Sequence, residues 1–128
     1  YTSDMHILSF LFAVALQVTT PVWIDAPPSM PKGTKMAILE GDTKAAGIFT
    51  IRLKVAKGAA LPKHTHPKPE RVTVLSGKVR VNIGGKETTF GAGGFYVNPP
   101  DEPHTVAFDE DSELQLTCEG PWGLTYVD

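Results

Sequence analysis

The sequence predicts an all-β fold, a sandwich or barrel of about eight to ten short strands. Three observations predict it. Apolar and polar residues alternate with a period of two over several short stretches after Lys35. Glycine-rich turn signals separate those stretches. No long stretch after Lys35 carries helical periodicity. A chain of 128 residues fits one domain with one core. The expected division is an N-terminal apolar segment and Pro-rich arm over residues 1–35, then a β-barrel domain over residues 36–128.

The elements follow in order along the chain. Ile7 to Leu16 is strongly apolar but too short to span a bilayer. Two expectations attach to it. It has the length of an export-signal core, with Ala13-Val14-Ala15 resembling a small-residue cleavage site. Against that, no Lys or Arg precedes it, whereas Asp4 and His6 do. The other expectation is a first strand or helix, packed on the barrel or exchanged with a partner subunit. The compartment therefore stays open between cytoplasmic and exported. From Pro21 to Lys35, Pro27, Pro28 and Pro31 mark an irregular arm.

Beyond the arm, Phe49, Ile51, Leu53 and Val55 alternate with Thr50, Arg52 and Lys54. Val79, Val81 and Ile83 alternate with Arg80 and Asn82, and Leu114, Leu116 and Cys118 with Gln115 and Thr117. Each set puts one apolar face inward, as half-buried strands require. Ser76-Gly77 separates residues 71–75 from 78–83, and Gly84-Gly85 separates that strand from 86–90. Both read as hairpin turns. Gly91 to Gly94 precedes a strand over 95–98.

Composition excludes several classes. With 41% hydrophobic and 20% charged residues, the balance is globular rather than disordered. The net charge of -2 and the lack of a basic block argue against nucleic-acid binding. Cys118, the single cysteine, excludes an internal disulfide.

Chemistry concentrates in two Pro-rich segments. The first runs from Gly58 through His64, His66 and Glu70 to Gly77. Two residues apart in a strand, His64 and His66 point to one face. Glu70 stands at the start of a clear strand, and a bend at Pro67 and Pro69 returns its carboxylate to the same pocket. The second segment runs from Gly93 through Pro99 to His104 and delivers a third imidazole. Imidazole suits Fe, Ni, Cu and Zn, and a carboxylate adds hard anionic character. On an ion that prefers six ligands, this set leaves two positions open, as a catalytic site does.

The first segment resembles the first motif of the cupin family, Gly-x5-His-x-His-x3-Glu-x6-Gly, at every fixed position. The second is similar to the family's second motif, Gly-x5-Pro-x-Gly-x2-His-x3-Asn, with Gly93, Pro99 and His104 in register. Asp101 and Phe108 depart from it, standing where Gly and Asn are usual. Asp101 suggests a slightly different turn and a carboxylate near the pocket mouth. The 15 residues from 78 to 92 between the motifs match the spacing of compact microbial cupins. The resemblance implies a double-stranded β-helix, or jelly-roll barrel, with His64, His66, Glu70 and His104 as ligands of a divalent metal (Fe, Mn, Ni, Cu or Zn). The tail from Glu119 to Tyr126 also resembles that of small, often exported, uncharacterised bacterial cupins.

Other residues have plainer readings. His6 matches no motif. Cys118 reads as a buried small hydrophobe. Phe95, Tyr96, Phe108, Trp122 and Tyr126 read as core and rim, with one or two touching substrate. Lys63, Lys68 and Arg71 read as solvated, with attraction of an anionic substrate as the weaker alternative. Asp101 and Glu102 are candidates to orient the second nitrogen of His104.

Two functions of different class follow. One is a metal-dependent enzyme, dioxygenase-like, acting on a small organic molecule; its catalytic residues beyond the ligands are unknown. The other is a metal-bearing module that binds a small ligand without turnover. A homodimer is expected, with neither nucleic acid nor stable membrane insertion. Protons compete with metal for histidine, so an unperturbed site loses its ion below about pH 6.

Overall fold

The alternation seen in the sequence becomes two antiparallel sheets packed face to face. The computed structural model describes residues 14–128. His6 and the part of the apolar run from Ile7 to Ala13 lie outside the described residues. Val14, Leu16 and Val18, which follow, are exposed. Among the described residues there is no helix, and so none long and apolar enough to cross a membrane.

The strands are β1 (Ile24–Asp25), β2 (Lys35–Glu40), β3 (Gly47–Val55), β4 (Ala60–Thr65), β5 (Glu70–Ser76), β6 (Val79–Ile83), β7 (Lys86–Phe90), β8 (Phe95–Asn98), β9 (His104–Phe108), β10 (Ser112–Gly120) and β11 (Thr125–Tyr126). One sheet has the order β1-β2-β3-β10-β5-β8 and the other β11-β4-β9-β6-β7. Sequence neighbours repeatedly sit in opposite sheets, which is the jelly-roll arrangement. β10 pairs with β3 over its whole length and with β5 from Glu113 to Cys118, so that Leu116 lies opposite Ile51 on one side and Val72 on the other.

The period-two patterns put their apolar members between the sheets, except Ile83 at the end of β6, which is half-buried. Phe49, Ile51 and Leu53 come from β3, Val72 and Val74 from β5, and Leu114, Leu116 and Cys118 from β10. Leu61, Val79, Val81, Val106 and Phe108 face them from the second sheet. Both sheets twist, so side chains from the two inner faces interdigitate into one core. The edge strand β7, Lys-Glu-Thr-Thr-Phe, is polar and exposed over its first four residues. Charged side chains on such an edge discourage pairing with another chain.

The turns divide into one confirmed hairpin and one correction. β6 and β7 pair from Val79 with Phe90 down to Ile83 with Lys86. The intervening Gly84 and Gly85 have φ of 60° and 80°, as a two-residue hairpin turn with both central residues left-handed requires. β5 and β6, in contrast, do not pair. They lie in different sheets, and Ser76-Gly77 carries the chain across the barrel edge. Gly77 has φ 95°, and a Cβ there would collide with Ser112 Oγ and the Asp111 carbonyl. A glycine is therefore demanded by close approach as well as by backbone angle.

Phe49 links the core to the far end of the chain. Its ring is fully buried and meets the Trp122 indole edge-on, centroids 6.3 Å apart. Phe49→Ala is expected to cost about 3–5 kcal/mol of stability, measured by urea denaturation. A loss below about 1 kcal/mol would show that the barrel can collapse around the gap.

Candidate metal centre

The site grows from strand ends. His64 in β4 and His104 in β9 are direct cross-strand partners, so their side chains leave neighbouring backbones toward the same interior. His66 lies one residue past the end of β4, and is also buried. Glu70 opens β5 with Asn98 of β8 opposite on one side and Cys118 of β10 opposite on the other. All four residues named by the two motifs are buried, His64 and His104 at 1% exposure.

The three imidazoles meet. Ring centroids are 4.2 Å apart for His64 and His104, 4.9 Å for His64 and His66, and 5.2 Å for His66 and His104. One ring nitrogen from each lies within 4.8 Å of those of the other two. Each Nδ1 is spoken for by a backbone carbonyl: Pro62 at 2.7 Å for His64, Gly123 at 2.8 Å for His66, and Glu102 at 2.9 Å for His104. A carbonyl oxygen only accepts, so each Nδ1 carries the proton and each Nε2 presents a lone pair. The Nε2 atoms of His66 and His104 are buried with no hydrogen-bond partner. An unsatisfied buried acceptor costs about 1–3 kcal/mol. Three inward lone pairs with outer N–H groups fixed by carbonyls are the donor set a divalent cation needs. The residues present therefore fit a metal ion.

Glu70 stands beside the triad. Its Oε1 is 3.5 Å from His66 Nε2. Asn98 Nδ2 donates to the same oxygen at 3.1 Å, and Trp122 Nε1 donates to Oε2 at 3.2 Å. The carboxylate is thus tethered by two neutral donors beside His66, and it lies outside the group of mutually close ring nitrogens that the three histidines form.

The residue profile described as a cupin domain matches residues 51–118, just over half of the chain. The chain belongs to the cupin family. Over 97 residues, 74% of its length, this cupin is 31% identical to the DNA damage-repair/toleration protein DRT102 of Arabidopsis thaliana. It spans only 29% of that protein. Its fold is similar to the polyketide cyclase RemF of Streptomyces resistomycificus, with TM-score 0.73, 18% identity and coverage of 90% of this chain and 87% of that one. It is also similar to a putative acetylacetone dioxygenase of Methylibium petroleiphilum, with TM-score 0.68, 18% identity and coverage of 90% and 83%. At such identities these two likenesses speak to fold alone.

The structure also places the residues around the site. Asp101 occupies the second-motif position where Gly is usual. Its φ is 61°, the left-handed conformation for which glycine is the usual residue, and its N–H donates to the His66 carbonyl at 2.8 Å. Asp tolerates this backbone better than most side chains. The second nitrogen of His104 is oriented by the backbone carbonyl of Glu102 rather than by a carboxylate. Lys63, Lys68 and Arg71 are exposed. Cys118 is a core residue. Burial, then the Glu70 carboxylate, pushes its thiol pKa up to about 12, so it is an inert thiol rather than a nucleophile.

The sequence reading missed the residues that hold the site together. Trp122 and Gly123 arrive on the C-terminal tail, far from either motif. That tail is anchored by Trp122 N–H to the Thr43 carbonyl at 2.7 Å, Val127 N–H to the Lys63 carbonyl at 3.0 Å, and pairing of Tyr126 with His64. The signals for this segment were the density of Gly, Pro and aromatic residues over 120–126 and its likeness to the tail of small bacterial cupins, neither of which ties it to the histidines. Asn98 sits inside the second motif at an unspecified position and is the one buried residue of the otherwise exposed or half-buried β8, so no local pattern marked it.

The pH dependence of the metal-free protein follows from burial. Burial pushes the His64 pKa from 6.5 down to about 4, the Pro62 hydrogen bond opposing and the neighbouring His104 and His66 adding to it. His104 is lowered chiefly by burial too. Between 6.5 and about 4 the unfolded chain holds a proton on His64 that the folded chain refuses. Stability of the metal-free protein is therefore full above 6.5, falls as pH drops through that window and gains no further slope from this group below it. Denaturant titrations from pH 7.5 to 4 should show this fall, and His64→Gln should flatten it. An identical slope in the variant would discard the assignment. The same shift moves proton competition with a metal below the value near 6 expected for unperturbed histidine.

Proposed function

We propose that this cupin is a small metal-dependent enzyme of dioxygenase-like type. His64, His66, His104 and Glu70 hold one divalent ion (Fe, Mn, Ni, Cu or Zn) inside a barrel formed by residues 36–128, and a small organic molecule is transformed beside it. The observation that carries this reading is the pair of buried, partnerless Nε2 atoms of His66 and His104 converging with His64. A bound ion supplies Lewis acidity and, where redox-active, dioxygen chemistry.

The chain's own groups do the rest. The Pro62, Gly123 and Glu102 carbonyls hold each imidazole in the tautomer that offers Nε2 inward. Glu70 lowers the charge of the site and is the group beside the reacting centre able to take up a proton. Asn98 and Trp122 aim it. Tyr96 lines the adjoining cavity. Burial, then the Glu70 charge, raises its phenol pKa well above the usual range, so it remains neutral and can only lend a hydrogen bond. Apolar walls keep bulk water from the centre.

Elemental analysis of protein purified without added metal tests the reading. About one ion per chain is expected for the native protein and none for the His64→Ala/His104→Ala double variant. Iron or manganese would direct screening to dioxygen uptake, and zinc or nickel to hydrolysis or isomerisation. A native protein that takes up none of these ions on incubation defeats the proposal. Trp122→Phe keeps the ring packing and removes one hydrogen bond to Glu70. It is expected to weaken metal affinity about 10–100-fold, read by competition with a chromogenic chelator. Unchanged affinity would leave Glu70 outside the ligand set.

A further inference from the structure

We propose that the segment from Pro121 to Asp128 is a strap that shuts the site, and that a molecule larger than water reaches the histidines only when the strap lifts from β4. This adds control of access to the metal centre proposed above. It rests on that reading only for what is admitted, and its test needs no metal. The shut site has almost no room. The space bounded by residues that include His64, His66, Glu70, Trp122 and Leu124 measures about 30 Å³. That holds a water or a bare ion, whereas a pocket for a small organic molecule needs roughly 300 Å³ or more. None of His64, His66, Glu70 and His104 is more than 6% exposed. Anything larger is admitted only if a wall moves.

The walls differ in how firmly they are held. Leu53 in β3 and Leu114 and Leu116 in β10 belong to a ladder that runs from Ser112 opposite Val55 to Gly120 opposite Gly47. The strap has only β11, the end strand of its sheet, with Thr125 opposite Thr65 and Tyr126 opposite His64. The N–H groups of Trp122 and Val127 add bonds to the Thr43 and Lys63 carbonyls. The Tyr126 hydroxyl donates to the Ser29 carbonyl and latches the strap to the Pro-rich arm, whose Met30 lines the same space as Leu124. Pro121 and residues 125–128 are exposed. A two-residue ladder at a sheet edge, with bonds open to water, opens locally at far lower cost than the barrel unfolds. The inner side of the strap meets the site directly. It places the Gly123 carbonyl on His66 and the Trp122 indole on Glu70, and it sets the Tyr126 ring 6.0 Å from that of His64. Lifting it uncovers all three side chains at once.

A disulfide that locks the strap tests this. Thr65 and Thr125 are cross-strand partners, and alternation points both away from the face that His64 and Tyr126 share. Thr65→Cys/Thr125→Cys therefore sets two thiols at bridging distance on the side away from the histidines. Metal-free, full-length protein is treated with diethylpyrocarbonate, which acylates neutral imidazole, and modification of His64, His66 and His104 is followed by peptide mass spectrometry. The oxidised variant should react at least about tenfold more slowly than the same variant reduced, because modification tracks the population of the open form. Tyr126→Phe keeps the ring and removes the latch. Its histidines should react about two- to tenfold faster than those of the native protein, the range that one lost hydrogen bond gives to an opening equilibrium. Equal rates in the oxidised and reduced forms, or a Tyr126→Phe variant no faster than native, would overturn the strap. Thiol titration checks that the disulfide has formed; where it has not, the Tyr126→Phe comparison decides alone. Failure of the reduced protein to load zinc is a separate result, which counts against the metal centre and leaves the strap standing.

Discussion

Three lone pairs pointed at one another in an apolar interior are the constraint on which the rest of this structure turns. Neutral imidazoles do not crowd together for their own sake. Their rings are held by carbonyls of Pro62, Glu102 and Gly123, so rotation cannot relieve the arrangement without breaking those bonds. Burial favours the neutral form of His64 and His104, because a charged ring there would lose its hydration. A cation at its focus would satisfy the arrangement, and the lowered pKa of His64 and His104 reflects the same burial.

The barrel exists in part to make that constraint tolerable. Cross-strand pairing of His64 with His104, and of Glu70 with both Asn98 and Cys118, fixes four polar side chains by backbone ladders that also build the core. Below them Phe49, Ile51, Leu53 and Phe108 supply apolar burial, which offsets the desolvation of the polar end. The C-terminal tail closes the system. It carries Trp122 to Glu70, the Gly123 carbonyl to His66 and Leu124 to the cavity wall. One short segment therefore contacts His66, Glu70 and the neighbouring apolar wall together.

Much of the fold was legible because strands bury alternate residues, and that leaves a period of two in the chain. Phe49, Ile51, Leu53 and Val55 all face the core as their spacing demands. The Gly84-Gly85 hairpin was legible because left-handed backbone at two adjacent positions selects glycine. The Ser76-Gly77 turn was misread as a hairpin for an equally physical reason. Glycine reports a local angle, and the same angle serves a tight hairpin and a crossing between sheets. Asp101 shows the converse, a left-handed residue hidden behind a side chain that tolerates it.

By itself the sequence determined the all-β class, the strands that make the core and the three histidines with their neighbouring glutamate as one cluster. Those properties depend on spacing along the chain, which strand geometry converts directly into a shared face. Only the tertiary structure decided which nitrogen each histidine turns inward, that Glu70 hangs between Asn98 and Trp122, and that among the described residues no Lys or Arg lines the space beside them. Those properties depend on contacts between segments as far apart as Glu70 and Trp122. No local pattern encodes them, because their partners meet only after the sheets have closed.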